Sequence, residues 1–230
     1  MRSLVLVPGL LCNRLLWADQ ITALGRYADI CVGDLTTQET IPQMAAAVLD
    51  SAPERFSLAG FSLGGAVALE IMEVASQRVE RLALLSTTHG GLLPPTERSI
   101  RQAIETIAQG GFDSYLEAVY PAYFAAQRGT DPILKRSFLE MAHAVGPAAG
   151  LRQMRALLAV QGPFPKLGEL RCPTIIIGGR EDKRTTPEAH ETLAREIPGS
   201  ELILIDDAAH FTPLERPKQV TAALERWLIA

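Results

Sequence analysis

Six short apolar runs constrain this chain more than any other feature. They are Leu4–Val7, Asp29–Val32, Phe56–Ala59, Arg81–Leu85, Thr174–Ile177 and Leu202–Ile205. Each stops at a residue that suits a strand end: Pro8-Gly9, Gly33, Gly60, Ser86, Gly178-Gly179 and Asp206. Runs that are apolar at nearly every position have no wet face, so they fit a parallel sheet covered on both sides. Between most of them lie stretches with apolar residues at helical spacing: Pro42–Leu49, Leu63–Ala75, Pro187–Glu196 and Lys218–Leu228. Alternation of this kind predicts an α/β fold with right-handed crossovers.

One interval breaks the alternation. From about Thr87 to Pro165 no strand is predicted, and Thr96–Ala108, Asp113–Ala126, Pro132–Ala144 and Pro147–Val160 read as four helices. Gly110-Gly111, Gly129-Thr130 and Gly146-Pro147 separate them. The predicted organisation is a core domain of residues 1–86 and 166–230 and a helical cap of residues 87–165. A helical insert between two strands of a parallel sheet must sit at one end of that sheet. The insert is rich in aromatics, with Phe112, Tyr115, Tyr120, Tyr123, Phe124 and Phe138 close together.

Composition narrows the class. Hydrophobic residues make up 47% and charged residues 21%, which is globular rather than disordered. A net charge of -4 gives no electrostatic case for a nucleic-acid partner. No apolar run approaches the ~18 residues that span a bilayer, and the apolar start is too short for a signal sequence. Cys12, Cys31 and Cys172 are widely spaced and make no zinc pattern. A cytoplasmic location is expected.

Gly60-Phe61-Ser62-Leu63-Gly64 fits Gly-x-Ser-x-Gly. It follows a predicted strand and opens a predicted helix, the setting a nucleophile elbow requires. A sharp turn there lifts the Ser62 hydroxyl above the sheet, and the helix N-terminus favours developing negative charge. A serine hydroxyl is a weak nucleophile and needs a base. Of four histidines, only His210 is both downstream of the elbow and on a loop at the carboxyl end of a strand, where parallel-sheet sites form. His143 and His190 are expected on helix surfaces, and His89 near the mouth of the insert. The base needs an acid to hold its tautomer. Asp182, after the Gly178-Gly179 turn, fits the order Ser, Asp, His, with Glu181, Asp206 and Asp207 as competitors.

Acyl transfer also needs donors aimed at the oxyanion. The Leu63 N–H follows the nucleophile directly. The second is expected from the loop after the first strand, at Leu10, with Leu11 as fallback. Tyr115, Tyr120, Tyr123, Phe124, Phe211 and Leu11 are candidate pocket walls. Arg152 and Arg155 are candidates for a substrate carboxylate, though a solvated helix face is the preferred reading for both.

Together these residues resemble the α/β-hydrolase superfamily, in particular its small capped bacterial members such as carboxylesterases, enol-lactone hydrolases and pimeloyl-carrier methyl esterases. The resemblance rests on Val7-Pro8-Gly9-Leu10, Asp34, Gly60 through Gly65, Arg171-Cys172-Pro173-Thr174, Gly179 through Asp182, Pro187, and His210 through Pro217 with Glu215. It implies an α/β-hydrolase fold with a sheet of about six strands and an inserted cap. The family usually has His-Gly where this chain has Pro8-Gly9. That histidine normally braces the oxyanion loop, and proline can stiffen the loop by fixing φ instead.

The predicted function is a serine hydrolase of a small or medium ester, with catalytic Ser62, Asp182 and His210, a Leu10/Leu63 oxyanion hole, and no metal or organic cofactor. Two alternatives remain. One is a carbon–carbon bond hydrolase, or a lyase of the menaquinone-synthesis type, using the same three side chains. The other is a non-catalytic ligand receptor on the same fold.

Overall fold

A computed structural model describes residues 2–160, 164 and 166–230. The strands are β1 (Arg2–Val7), β2 (Ala28–Val32), β3 (Phe56–Phe61), β4 (Val79–Leu85), β5 (Thr174–Gly179) and β6 (Glu201–Ile205). They form one parallel sheet in the order β2-β1-β3-β4-β5-β6. Every residue of β3 and β5 is buried, whereas β2 and β6 at the edges are largely half-exposed. The continuous apolar runs therefore occupy the covered middle of the sheet.

The helices are α1 (Ala18–Leu24), α2 (Ile41–Ser51), α3 (Leu63–Ala75), α4 (Pro94–Ala108), α5 (Phe112–Tyr123), α6 (Pro132–Leu158), α7 (Pro187–Glu196), α8 (Thr212–Glu215) and α9 (Pro217–Ile229). α1 follows a 3-10 turn at Arg14–Trp17 and has no counterpart in the sequence reading. It is two turns long and buries only Gln20 and Leu24, too little to establish a period. Two strand ends also differ from expectation. Gly60 and Gly178-Gly179 do not stop β3 and β5 but lie inside them. At Gly179 the reason is a close approach, since a Cβ there would sit 2.0 Å from the Ala209 carbonyl oxygen.

The chain leaves β1 for β2 on one side and crosses to β3 on the other, so a crevice opens between the carboxyl ends of β1 and β3. Above that end lie α4, α5 and α6, inserted between β4 and β5. α6 bends at Gly146, whose φ of 80° is left-handed, and so comprises the two predicted helices joined end to end. Tyr120, Phe124 and Phe138 pack on one another at centroid distances of 4.6–6.1 Å. Phe124 stacks on Phe211 of the core at 5.1 Å. The expected limits of the two domains at residues 1 and 165 fall outside the described residues.

Candidate active site

β3 hands the chain to α3 through a single residue, Ser62, with φ 53° and ψ -112°. A non-glycine residue rarely holds a positive φ, because its Cβ crowds the backbone. The Ser62 N–H donates to the Leu85 carbonyl at 2.8 Å, which fixes the turn to β4. The tight passage also depends on Gly64, where a Cβ would sit 2.2 Å from the Val7 carbonyl oxygen. α3 can therefore start directly beside β1.

His210 Nε2 lies 3.0 Å from Ser62 Oγ, and His210 Nδ1 lies 2.8 Å from Asp182 Oδ2. Asp182 is 2% exposed and His210 5%. The other carboxylate oxygen accepts the N–H groups of Arg184 and Thr185 at 2.8 and 3.0 Å, and the Thr185 hydroxyl donates to Oδ2 at 2.6 Å. Burial alone pushes the Asp182 carboxyl up, but the His210 ring and the Thr185 hydroxyl and N–H outweigh it and leave its pKa lowered. An ionised Asp182 accepts from Nδ1–H, which leaves Nε2 to accept the Ser62 proton. Glu181 and Asp207 instead bind the Gln127 side chain at 3.2 Å, and Asp206 pairs with Arg180. None of these competitors meets His210.

A cavity opens over Ser62, walled by Leu10, Leu63, Ile100, Leu157 and Phe211 among others. A profile of the alpha/beta hydrolase family matches residues 4–224. The chain belongs to that family. A protein of Agrobacterium fabrum with the provisional name carbamate hydrolase RutD is 26% identical, over 99% of this chain and 93% of its own. An esterase structure from Thermogutta terrifontis has a TM-score of 0.86 at 23% identity, covering 99% of this chain and 89% of that one. An enol-lactonase structure from Burkholderia xenovorans has a TM-score of 0.85 at 20% identity, covering 100% and 92%. The two structural likenesses establish the shared fold.

In this alpha/beta hydrolase the expected oxyanion donors separate cleanly. The Leu11 N–H is taken: it donates at 2.9 Å to Oε1 of Gln153, a fully buried residue of α6. Leu11 sits in the left-handed region at φ 55°. The Gln153 amide also donates to the Leu35 carbonyl at 3.0 Å. Leu11 is thus excluded as the fallback, while Leu10 and Leu63 line the cavity. Gln153 was missed in the sequence because nothing local marks a mid-helix glutamine as facing a loop 142 residues away.

The aromatic candidates divide as well. Tyr123 and Phe211 line the cavity, and their rings lie 5.4 and 5.9 Å from the His210 ring. Tyr120 and Phe124 are buried in the seam between cap and core and do not reach it. Tyr115 lines a separate outer groove between α4 and α5. The unbroken aromatic cluster suggested one shared surface, but helical spacing sends its members to different sides.

Neither arginine candidate meets the cavity, and Arg155 lies on a solvated helix face as preferred. Arg152 donates to the Thr36 carbonyl. Arg184, not singled out by its sequence context, lines the cavity instead. Among the histidines, His143 is exposed beside Asp113 as expected. His190 departs from the expected surface role: it is fully buried, donates from Nδ1 to the Thr186 carbonyl at 2.9 Å, and fills the space left by Gly178. Burial lowers its pKa, so it packs as a neutral ring.

Glu215 holds the histidine loop. Its buried carboxylate accepts the Ala209 N–H at 2.9 Å and the Ala125 N–H of the insert at 2.8 Å, and the His210 N–H donates to the Tyr123 carbonyl at 3.0 Å. Burial pushes the Glu215 carboxyl up, against the pull of those two donors. Among the described residues no group of three or more His, Cys, Asp or Glu is placed to hold a metal ion, and no helix is long and apolar enough to cross a membrane.

Proposed function

We propose that this alpha/beta hydrolase is a serine esterase acting on a small or medium carboxylic ester through an acyl-enzyme. The observation that carries this reading is the unbroken line Ser62–His210–Asp182, at 3.0 and 2.8 Å, opening into a mostly apolar cavity. His210 Nε2 takes the Ser62 proton as Oγ attacks the substrate carbonyl. The Leu10 and Leu63 N–H groups stabilise the oxyanion, each such donor contributing roughly 10²–10³-fold in rate. The tetrahedral adduct collapses as the imidazolium protonates the departing alkoxide. Water then loses a proton to His210, attacks the acyl carbon, and frees the acid and Ser62. Asp182 holds the tautomer and stabilises the imidazolium throughout. Carbamates, lactones and esters present the same acyl carbon to such a serine, so the names of RutD and of the enol-lactonase are in keeping with this chemistry.

The test is fluorophosphonate labelling followed by steady-state turnover of p-nitrophenyl acetate and butyrate. Labelling at Ser62, and loss of about 10⁴-fold or more in kcat in Ser62→Ala, are expected. Labelling without ester turnover would redirect the assignment to carbon–carbon hydrolysis or the lyase. An unlabelled Ser62 in folded protein would leave the receptor reading.

A further inference from the structure

The cavity over Ser62 has one feature its esterase chemistry does not use. Of the described residues that line it, Arg184 is the only Lys, Arg, Asp or Glu. The same side chain also lines the outer groove between α4 and α5, whose other lining residues carry no formal charge. Arg184 therefore borders both cavity and groove, half-buried, and no carboxylate is among the described residues lining either. Among the described residues it makes no ion pair. Its guanidinium carbon sits 4.7 Å from the centre of the Tyr123 ring, and that ring lies 5.4 Å from the His210 imidazole. That distance suits a cation–π contact, and among the described residues no hydrogen bond engages the guanidinium N–H groups. The Thr96 hydroxyl, which also lines the cavity, donates to the Arg184 backbone carbonyl at 3.4 Å.

An arginine whose charge served only solubility would point to bulk water or pair with an acid. Here it borders an apolar cavity whose low-dielectric walls strengthen any charge interaction and focus its field inward. Arginine suits planar, two-point recognition of a carboxylate. We infer that Arg184 is the anion subsite of this enzyme, and that its substrate is an ester or lactone bearing a free carboxylate a short chain away from the scissile carbonyl. The inference rests on the esterase reading for the scissile end and adds the requirement at the other end. The carboxylate docks at Arg184 while the carbonyl reaches Ser62. A second reading, in which the guanidinium merely packs on Tyr123, predicts no preference for charge.

Hydrolysis of monomethyl glutarate and of methyl pentanoate, followed in a pH-stat at neutral pH, separates these. The wild type should show the higher kcat/KM on monomethyl glutarate. Arg184→Gln should lose about 10- to 100-fold on that ester, chiefly through KM, as expected for one charge-assisted contact. Its loss on methyl pentanoate should be much the smaller of the two, and Arg184→Lys should recover part of the loss on the charged ester. A wild-type preference for the neutral ester, or equal losses on both esters, would overturn the inference. A readout that needs no turnover is protection of Ser62 from fluorophosphonate. Glutarate should slow labelling of the wild type where glutaramide does not, and equal behaviour of the two would also overturn it. Failure of the esterase reading is distinct, because it shows as no labelling of Ser62 and no effect of Ser62→Ala on either ester.

Discussion

The two sides of this site are built by different means. On the core side, position is set by backbone close approach: Ser62 at positive φ, Gly64 against β1, and Gly179 against the loop that carries His210. On the cap side, position is set by a few side chains that reach across: Gln153 to Leu11 and Leu35, Arg152 to Thr36, and Ala125 held by Glu215. Backbone contacts are intolerant of any added atom. A side-chain contact can be removed by substitution without adding an atom to a backbone close approach. The core side therefore places the Ser62, His210 and Asp182 side chains, and the cap side meets that framework through separate side-chain contacts.

Gly64→Ala should have the largest effect on that contrast. Its Cβ would meet the carbonyl oxygens of Val7 and Pro8 at 2.2 and 2.6 Å, and neither belongs to a side chain that could swing aside. A cost of about 3 kcal/mol or more is expected, seen as a fall in Tm of at least about 6 °C. A variant that melts like the wild type would show the core side to be as adjustable as the cap.

Gln153→Leu should remove one such contact and leave the fold in place. The loop carrying Leu10 then loses the partner of the neighbouring Leu11 N–H. The expected result is a fall in kcat of about 10- to 100-fold with KM little changed, since a displaced donor acts in the transition state. A second readout lies next door. Cys12 is 4% exposed and burial pushes its thiol up to about 12, so its alkylation in the native wild type should be slow. Peptide-resolved labelling should find Cys12 faster in Gln153→Leu. Faster labelling with unchanged kcat would assign Gln153 to packing and not to the oxyanion loop.

The smallest effect sharpens the core side alone. The folded Asp182 carboxyl has a lowered pKa, so its contribution to stability is present above the unfolded value of about 3.9 and is lost as pH falls through the folded one. Urea melts of the wild type and Asp182→Asn should differ at pH 7 and converge below about pH 4. A gap that widens on acidification would mean that the folded protein favours the protonated acid.

Legibility followed the same division. The strands, the elbow at Ser62, and the remote Asp182 and His210 were readable because each carries a local mark: an apolar run, a glycine pair, or a loop at a strand end. The fold and its parallel sheet followed from them. Gly60 and Gly178 were read as strand ends since glycine's local preference is all the sequence displays, whereas the close approach that requires glycine comes from a distant segment. His190 looked like an ordinary surface helix residue until the gap at Gly178 gave it a buried place.

Sequence by itself determined the alternating α/β pattern, the helical insert, and the residues able to act as nucleophile, base and acid, because hydrophobic period and turn chemistry act over a few neighbouring residues. Only the tertiary structure decided that Gln153 takes the Leu11 N–H, that Tyr123 and not Tyr115 or Tyr120 borders the cavity, and that Arg184 borders it with no acid among the described lining residues. Those outcomes depend on how the cap sits over the sheet. That placement is the sum of many weak long-range contacts, and no short stretch of chain encodes it.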